Sequence, residues 1–256
     1  MFRKPTQIVA LISVLLVAAC SKTEPEALSE PQPAAKAAAV ADSSPATATE
    51  AGGSDPTVVD PDHYTAEFEN DAVRIVRIKY GAGEESVMHY HSDSVAVFLT
   101  DMEAEMTTLD GSTTQIAVPA GSIAFNQAGQ HLPKNTADSA LEVVEVELKP
   151  RDPAEGQSGG PDATVAAADH YTTELENESV RILRIAYGAG EESAMHYHPD
   201  SVAIFVTDHL VRMTMPDGST NEIAAAAGDA IFIPGGQHQP KNISDSAWEL
   251  VLIELK

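Results

Sequence analysis

One unit is repeated along this chain of 256 residues. Residues 62–149 align without a gap with residues 169–256, and about 55 of the 88 aligned positions are identical. Two unrelated segments of one structural class would not share so much, so we infer that one ancestral unit was duplicated. The repeat therefore predicts two domains of the same fold, and a candidate site in one domain should have a counterpart in the other.

Each unit has the residue pattern of β-strands. Apolar and polar residues alternate in part through Val73–Ile78 and through Leu141–Leu148, and a period of two is typical of strands. Asp110-Gly111 and Asp217-Gly218 lie between such runs and predict hairpin turns, because Asp and Gly tolerate positive φ. Beyond the N-terminal segment no stretch of a dozen residues has the apolar stripe of a helix. We therefore predict an all-β protein made of two small closed β-barrels in tandem.

The N-terminal segment has the layout of a secretory signal. Basic residues precede the apolar run Ile8–Ala19, which is shorter than the ~20 residues that a membrane-spanning helix needs. The small residues before Cys20 resemble the bacterial lipobox, in which the cysteine is lipidated. The resemblance implies a signal peptide over 1–19 and a cell-envelope protein held by that lipid only; Ser21 implies the outer membrane, facing the periplasm. An ordinary signal peptide that leaves a free cysteine is the alternative.

Two further stretches have the composition of disordered chain. Residues 20–61 are rich in Ala, Pro, Ser, Thr and Glu, and residues 150–168 are rich in Pro, Gly and Ala. Such segments cannot bury enough apolar surface to offset the entropy of ordering. We expect a disordered tether before the first domain and a linker between the domains.

The net charge argues against one class of partner. The chain has 15 Lys and Arg residues against 39 Asp and Glu residues, which gives a formal net charge of −24. This charge repels phosphate backbones, so nucleic-acid binding is not expected. Cys20 is the one cysteine, so an intrachain disulfide is excluded. A small-molecule ligand is the expected partner, and the sequence leaves the oligomeric state open.

Histidines recur in a pattern that suits a metal. Each unit has two histidines separated by one residue, and such residues point to the same face of a strand. A third histidine follows a glycine-containing bend later in each unit. The candidate metal ligands are His89, His91 and His131 in the first unit, and His196, His198 and His238 in the second.

The placement of these histidines resembles the two-part signature of the cupin superfamily, here as a tandem bicupin. The first part is a glycine, five residues and His-x-His, as in Gly83–His91 and Gly190–His198. The second part is a glycine, a strand, a tight bend, the third histidine and a following asparagine, as in Gly121–Asn135 and Gly228–Asn242. The resemblance implies two jelly-roll β-barrels, each binding a divalent metal inside on its three histidines.

The chain departs from that signature in three ways. The glutamate expected after the second histidine is absent, the last histidine comes one residue early, and the first unit has Gln127 where the second has Pro234. Three neutral imidazoles still bind Fe, Zn, Mn, Ni or Cu, which the sequence does not distinguish. A barrel that binds no metal is the alternative. Because the second unit has the more typical bend, we expect any chemistry there, with the first unit as a weaker site or a structural partner.

Residues beside the histidines give fewer indications. Gln130 and Gln237 precede the third histidines and are candidates for contact with a ligand, whereas His209 has no counterpart, since the first unit has Met102. The sequence identifies no catalytic residue, such as a Ser-His-Asp order or a cysteine nucleophile. Two functions therefore remain: a small-molecule metalloenzyme such as a dioxygenase, or a non-catalytic module of the cell envelope that binds or senses a small molecule or metal.

Overall fold

The computed structural model describes residues 53–151 and 159–256. The predicted signal peptide, the lipidation of Cys20, the tether up to residue 52 and the middle of the linker lie outside the described residues. Across the described ranges, no helix is both long enough and apolar enough to span a membrane.

The first half of the described chain is a nine-stranded unit that begins with a short helix. Its elements are α1 (Pro56–Val59), β1 (Tyr64–Glu69), β2 (Val73–Tyr80), β3 (His89–His91), β4 (Ser94–Phe98), β5 (Met102–Thr107), β6 (Thr113–Val118), β7 (Ile123–Asn126), β8 (Gly129–Asn135) and β9 (Leu141–Leu148).

The second half repeats this series element by element. Its elements are α2 (Ala163–Ala166), β10 (Tyr171–Glu176), β11 (Val180–Tyr187), β12 (His196–His198), β13 (Ser201–Phe205), β14 (His209–Thr214), β15 (Thr220–Ala225), β16 (Ala230–Ile233), β17 (Gly236–Asn242) and β18 (Trp248–Leu255).

Each half forms two antiparallel sheets. In the first half the strand orders are β1-β2-β9-β4-β7 and β3-β8-β5-β6, and the second half has the same orders, β10-β11-β18-β13-β16 and β12-β17-β14-β15. Neighbouring strands are mostly non-consecutive, as in a jelly roll, where the chain crosses between two sheets. The prediction of two tandem all-β barrels is confirmed.

The Asp-Gly turns close the hairpins predicted for them. Gly111 and Gly218 both have φ of 82°, between β5 and β6 and between β14 and β15 respectively. The Asp110 carboxylate accepts a hydrogen bond from the Ser112 amide at 2.9 Å. Glycine suits these positions because other residues rarely adopt a positive φ.

Two helical turns lie where disordered chain was predicted. Asp55 caps α1 and Asp162 caps α2, each through its side-chain oxygen. The same carboxylates form ion pairs with Arg74 of β2 at 2.5 Å and with Arg181 of β11 at 2.6 Å. Each helical turn is thus held against the five-stranded sheet of its own barrel. Amino-acid composition did not predict these turns, because the arginine that pairs with each capping aspartate lies 19 residues later in the chain.

The inner strands of the five-stranded sheets are buried on both faces. In β4, Val95 and Val97 join a hydrophobic cluster shared by the two barrels, whereas Ala96 and Phe98 face the interior of the first barrel. The shared cluster includes Val73, Ile75, Val144 and Val146 of the first half, and Val180, Ile182, Val251 and Ile253 of the second. A sheet covered on both faces explains why β4 is apolar at four successive positions, Val95 to Phe98.

Candidate metal centre

Cross-strand pairing brings the three histidines of each barrel together. His89 and His91 lie on β3, and His131 of β8 is directly opposite His89 in the strand register. In the second barrel His238 is opposite His196 in the same way. Alternation places the two histidines of a His-x-His pair on one face, and the pairing adds the third histidine to that face.

The imidazoles converge on one point in each barrel. In each set of three, the ring nitrogens that are available as ligands lie within 4.8 Å of one another. Ring centroids in the first barrel are 4.8 to 5.3 Å apart, and those in the second are 4.9 to 5.2 Å apart. All six histidines selected from the sequence are therefore brought together in two groups of three.

In the first barrel, His89 and His91 each donate a hydrogen bond from Nδ1 to a protein group, and their Nε2 atoms are left without a partner among the described residues. The Nδ1–H of His89 donates to the carbonyl oxygen of Val87 at 2.8 Å, and the Nδ1–H of His91 donates to Glu147 Oε1 at 2.7 Å. Both Nε2 atoms are buried without a hydrogen-bond partner among the described residues. Such atoms are costly unless something binds them, and imidazole Nε2 is a usual ligand of divalent metals. The first barrel thus fits a metal ion.

In the second barrel the Nδ1 atoms of the His-x-His pair make the same hydrogen bonds, but one Nε2 atom has a partner. The Nδ1–H of His196 donates to the Ala194 carbonyl at 2.8 Å, and the Nδ1–H of His198 donates to Glu254 at 2.6 Å. The hydroxyl of Tyr171 lies 2.8 Å from His196 Nε2 and donates to it. A metal in this barrel would have to displace that hydroxyl. Tyr171 and the equivalent Tyr64 each bond to a second tyrosine, but His89 Nε2 has no hydrogen-bond partner among the described residues.

Known structures share this architecture, although no family model matches the sequence and no curated protein sequence is similar to it. AerE from Microcystis aeruginosa matches over 76% of this chain and 97% of its own, with a TM-score of 0.54 and 13% identity. A deletion mutant of Bacillus subtilis oxalate decarboxylase matches over 75% of both chains, with a TM-score of 0.52 and 12% identity. A cupin 2 conserved barrel domain protein from Leptotrichia buccalis matches over 75% of this chain and 88% of its own, with a TM-score of 0.49 and 12% identity.

The chain has the tandem bicupin fold. Both barrels of this bicupin contain three converging histidines at the positions that the cupin signature assigns to metal ligands. At 12–13% identity the likeness concerns the fold, and the activity of this bicupin has to be argued from its own residues.

Burial keeps most of the bicupin's imidazoles neutral, which is the form that binds a metal. Burial, reinforced by the charges of His91 and His89, lowers the pKa of His131 to about 3, and burial lowers the pKa of His89 to about 4. Burial also opposes the charge of His91, but the carboxylates of Glu145 and Glu147 outweigh it and raise the pKa of His91. In the second barrel the pKa values of the third and first histidines are likewise about 3 and about 4.

A carboxylate on the last strand of each barrel orients the second histidine. Glu147 of β9 accepts from His91 with one oxygen, and its other oxygen lies 2.5 Å from Arg74 Nε. Glu254 and Arg181 repeat the arrangement. Sequence reasoning missed these residues. The signal was the glutamates alternating with valines in β9, a pattern that usually indicates a solvated face, whereas here two of the glutamates are buried.

The two barrels differ in free space. The first encloses a cavity of about 190 Å³, to which His131 and Glu145 contribute, and the second a cavity of about 60 Å³. Where the first barrel has Glu145, the second has Leu252, and Trp248 replaces Leu141. Larger apolar side chains thus fill the second barrel. The expectation that chemistry is centred in the second barrel stays a prediction, while the larger free volume is in the first barrel of the bicupin.

The glutamines lie away from both cavities. Gln130 and Gln237 neighbour inward-facing histidines on β8 and β17, so alternation turns their side chains to the opposite face. Gln237 donates to the carbonyl oxygen of Gly159, and neither glutamine lines the cavity of its barrel. Ligand contact by these two residues stays a prediction that the geometry does not favour.

Proposed function

We propose that this bicupin is an exported, lipid-anchored metalloprotein that binds a divalent transition metal in each barrel and acts on a small molecule, as a dioxygenase does. The observation that carries the proposal is the pair of buried, unpartnered Nε2 atoms of His89 and His91, directed at the point where His131 also converges. A divalent metal on three neutral imidazoles would keep its full charge and open coordination positions, with which it can activate oxygen or water or polarise a substrate.

Residues of the first barrel support a reaction there. The cavity admits a small molecule beside His131, and the Glu145 carboxylate lines the same cavity. Glu145 is held in place by the hydroxyl of Ser94, which donates to Oε1 at 2.6 Å. A fixed carboxylate at this position is able to accept a proton from a bound substrate or to orient its donor group.

A non-catalytic role has support from the second barrel. The Tyr171 hydroxyl already bonds to His196 Nε2, and the cavity of about 60 Å³ leaves little room for a substrate. These features suit a barrel that turns over no substrate and stabilises its neighbour. The alternative function is therefore a binding or sensing module of the envelope in which neither barrel turns over a substrate.

Metal content tests the first part of the proposal. The purified protein should contain one ion per barrel by elemental analysis, and His91→Ala and His198→Ala should each remove one of the two. His63→Ala is the matched control, since His63 stacks on Tyr80 at 4.2 Å and lies outside the group of three. Metal content that is unchanged in the His91→Ala, His198→Ala double variant would sink the metal proposal.

Turnover separates the enzyme from the binding module. Protein loaded in turn with Fe, Mn, Cu, Ni and Zn is screened for oxygen uptake with small phenols and thiols. We expect uptake that is lost in His131→Ala and retained in His238→Ala, because the roomier cavity is in the first barrel. Metal-loaded protein that consumes no oxygen with any of these compounds would favour the binding module.

Export and anchoring have their own test. Expressed in a Gram-negative host, the chain should fractionate with the outer membrane, and Cys20→Ser should release it, because lipidation requires the thiol of Cys20. Ser21→Asp should move it toward the inner membrane, as the lipoprotein resemblance implies. A Cys20→Ser variant that stays with the membrane would contradict lipid anchoring. The proposal that the barrels bind metal would not depend on that result.

A further inference from the structure

We infer that the first barrel binds a small, mainly apolar molecule the size of one substituted benzene ring, whose single hydroxyl or amino group donates to Glu145, and that the second barrel excludes it. The inference deepens the proposed function, on which it rests for the site. Binding itself needs only the cavity and the carboxylate, so it can be measured with and without a metal.

The size and lining of the cavity set the first part of this specificity. A buried apolar cavity of ~150 Å³ is enough to bind benzene in another protein, and the first barrel encloses about 190 Å³. Phe98, Met102, Ile116, Leu141 and Val143 contribute apolar walls. A mostly apolar cavity with a few convergent polar groups is typical of small-molecule sites.

Glu145 determines which polar group the ligand of this cavity carries. Its residue is 4% exposed, one oxygen accepts from Ser94 at 2.6 Å, and the other lies 3.3 Å from His91 Nδ1. A carboxylate offers about four acceptor positions, so these contacts leave capacity for a ligand. A buried carboxylate in an apolar cavity is stabilised by every donor it gains. The preferred ligand therefore has one donor group on an apolar body.

The second barrel lacks both features. Leu252 takes the position of Glu145, which removes the acceptor, and Trp248 takes the position of Leu141. The indole lies 4.6 Å from the Tyr187 ring and 4.1 Å from the His209 ring between centroids, and the remaining cavity is about 60 Å³. A benzene ring does not fit in that cavity. Replacing Glu145 or Leu141 with the residue at the matching position of the second barrel therefore gives the test variants.

Two probes test the inference by fluorine NMR on the whole chain, one with a donor group, 4-fluorophenol, and one without, fluorobenzene. We expect one bound 4-fluorophenol per chain, with metal-free and metal-loaded protein alike. Glu145→Leu, the residue of the second barrel, should weaken 4-fluorophenol binding by about 10- to 100-fold, the loss expected for a hydrogen bond to a charged group. Fluorobenzene binding should stay within about threefold, because the apolar walls are kept.

Two further variants guard against a folding defect. Glu145→Gln keeps the shape and an uncharged acceptor, so its affinity for 4-fluorophenol should fall between those of the native chain and Glu145→Leu. Leu141→Trp should abolish binding of both probes while the urea-unfolding midpoint of the metal-free chain stays close to that of the native chain, which shows that the first barrel is folded. Trp248 is the one tryptophan of the native chain, and its emission should not respond to either probe.

Several outcomes would overturn the inference. They are binding of 4-fluorophenol that Leu141→Trp leaves intact, equal affinity of the two probes, and a Glu145→Leu variant that binds 4-fluorophenol as the native chain does. If the probe binds as expected but elemental analysis finds no metal, the proposed function fails and the inference stands. If metal binds and the probe does not enter the first barrel, the inference alone fails.

Discussion

Glu147 Oε1 lies 2.7 Å from Nδ1 of His91, a contact between two residues that are 56 positions apart in the chain. Glu254 and His198 form the same contact at 2.6 Å in the second barrel. A carboxylate behind a metal-binding histidine orients the ring, selects the tautomer with a free Nε2 and makes the ligand more basic. Each barrel thus has a negative charge behind its second histidine, in place of the glutamate that the cupin signature would supply as a ligand.

Removing that charge should weaken metal binding. Glu147→Gln should lower the metal affinity of the first barrel by about 10- to 100-fold, since loss of an outer-layer partner typically has this effect. Glu254→Gln should do the same in the second barrel, and competition with a coloured chelator measures both. Glu142→Gln is the control, because Glu142 pairs with Arg77 at 3.0 Å outside the histidine group. Unaltered affinity in Glu147→Gln would show that the contact only packs the ring.

The arginine behind each glutamate should matter for stability. Arg74→Met leaves the buried carboxylate of Glu147 without its 2.5 Å partner, and breaking a buried ion pair costs about 3 kcal/mol. Urea unfolding of the metal-free chain measures the loss. Lys149→Met, which breaks a more exposed pair with Glu69, should cost at most about 1 kcal/mol. Equal losses in the two variants would contradict a special role for Arg74.

His209 should make the second barrel sensitive to acid. Burial lowers the pKa of His209 to about 4 from an ordinary 6.5, so the unfolded chain binds a proton more readily than the folded one. The stabilisation is complete above pH 6.5 and is lost as the pH falls toward 4, by an amount of up to about 3 kcal/mol. His209→Met, the residue of the first barrel, should flatten this part of the pH profile in urea unfolding of the metal-free protein.

The reciprocal change provides the control for His209. Met102→His places an imidazole at the matching buried position of the first barrel, where Met102 is 6% exposed, and should steepen the loss of stability below pH 6.5. A profile that neither variant alters would assign the acid sensitivity to the metal-site histidines instead.

The contact between the barrels should be measurable at one aromatic pair. Phe68 of β1 stacks on Phe232 of β16 with ring centroids 5.6 Å apart and planes 10° apart. Such pairs contribute about 0.5–1.5 kcal/mol beyond the area they bury. The double-mutant cycle of Phe68→Ala and Phe232→Ala should show a coupling of that size in the free energy of unfolding. Strictly additive losses would mean that the rings do not interact in solution.

Much of the candidate site was predictable because its determinants are local or repeated. His89 and His91 share a face through strand alternation alone, and the duplication required the same of His196 and His198. The third histidines needed the resemblance to cupins, since nothing local shows that β8 pairs with β3. Glu147 could not be found this way, because alternating glutamates in a strand are expected to face water.

The amino-acid sequence was sufficient to establish the two-fold repeat, the β structure and the His-x-His pairs, which depend on periodicity and short-range spacing. The tertiary structure alone decided which barrel is open, which carboxylates are buried behind the histidines and which strand faces pack barrel against barrel. These properties depend on residues such as Glu145 and Trp248 meeting partners from distant strands. Burial and free volume are set jointly by all the side chains that surround a point, and no local pattern contains that information.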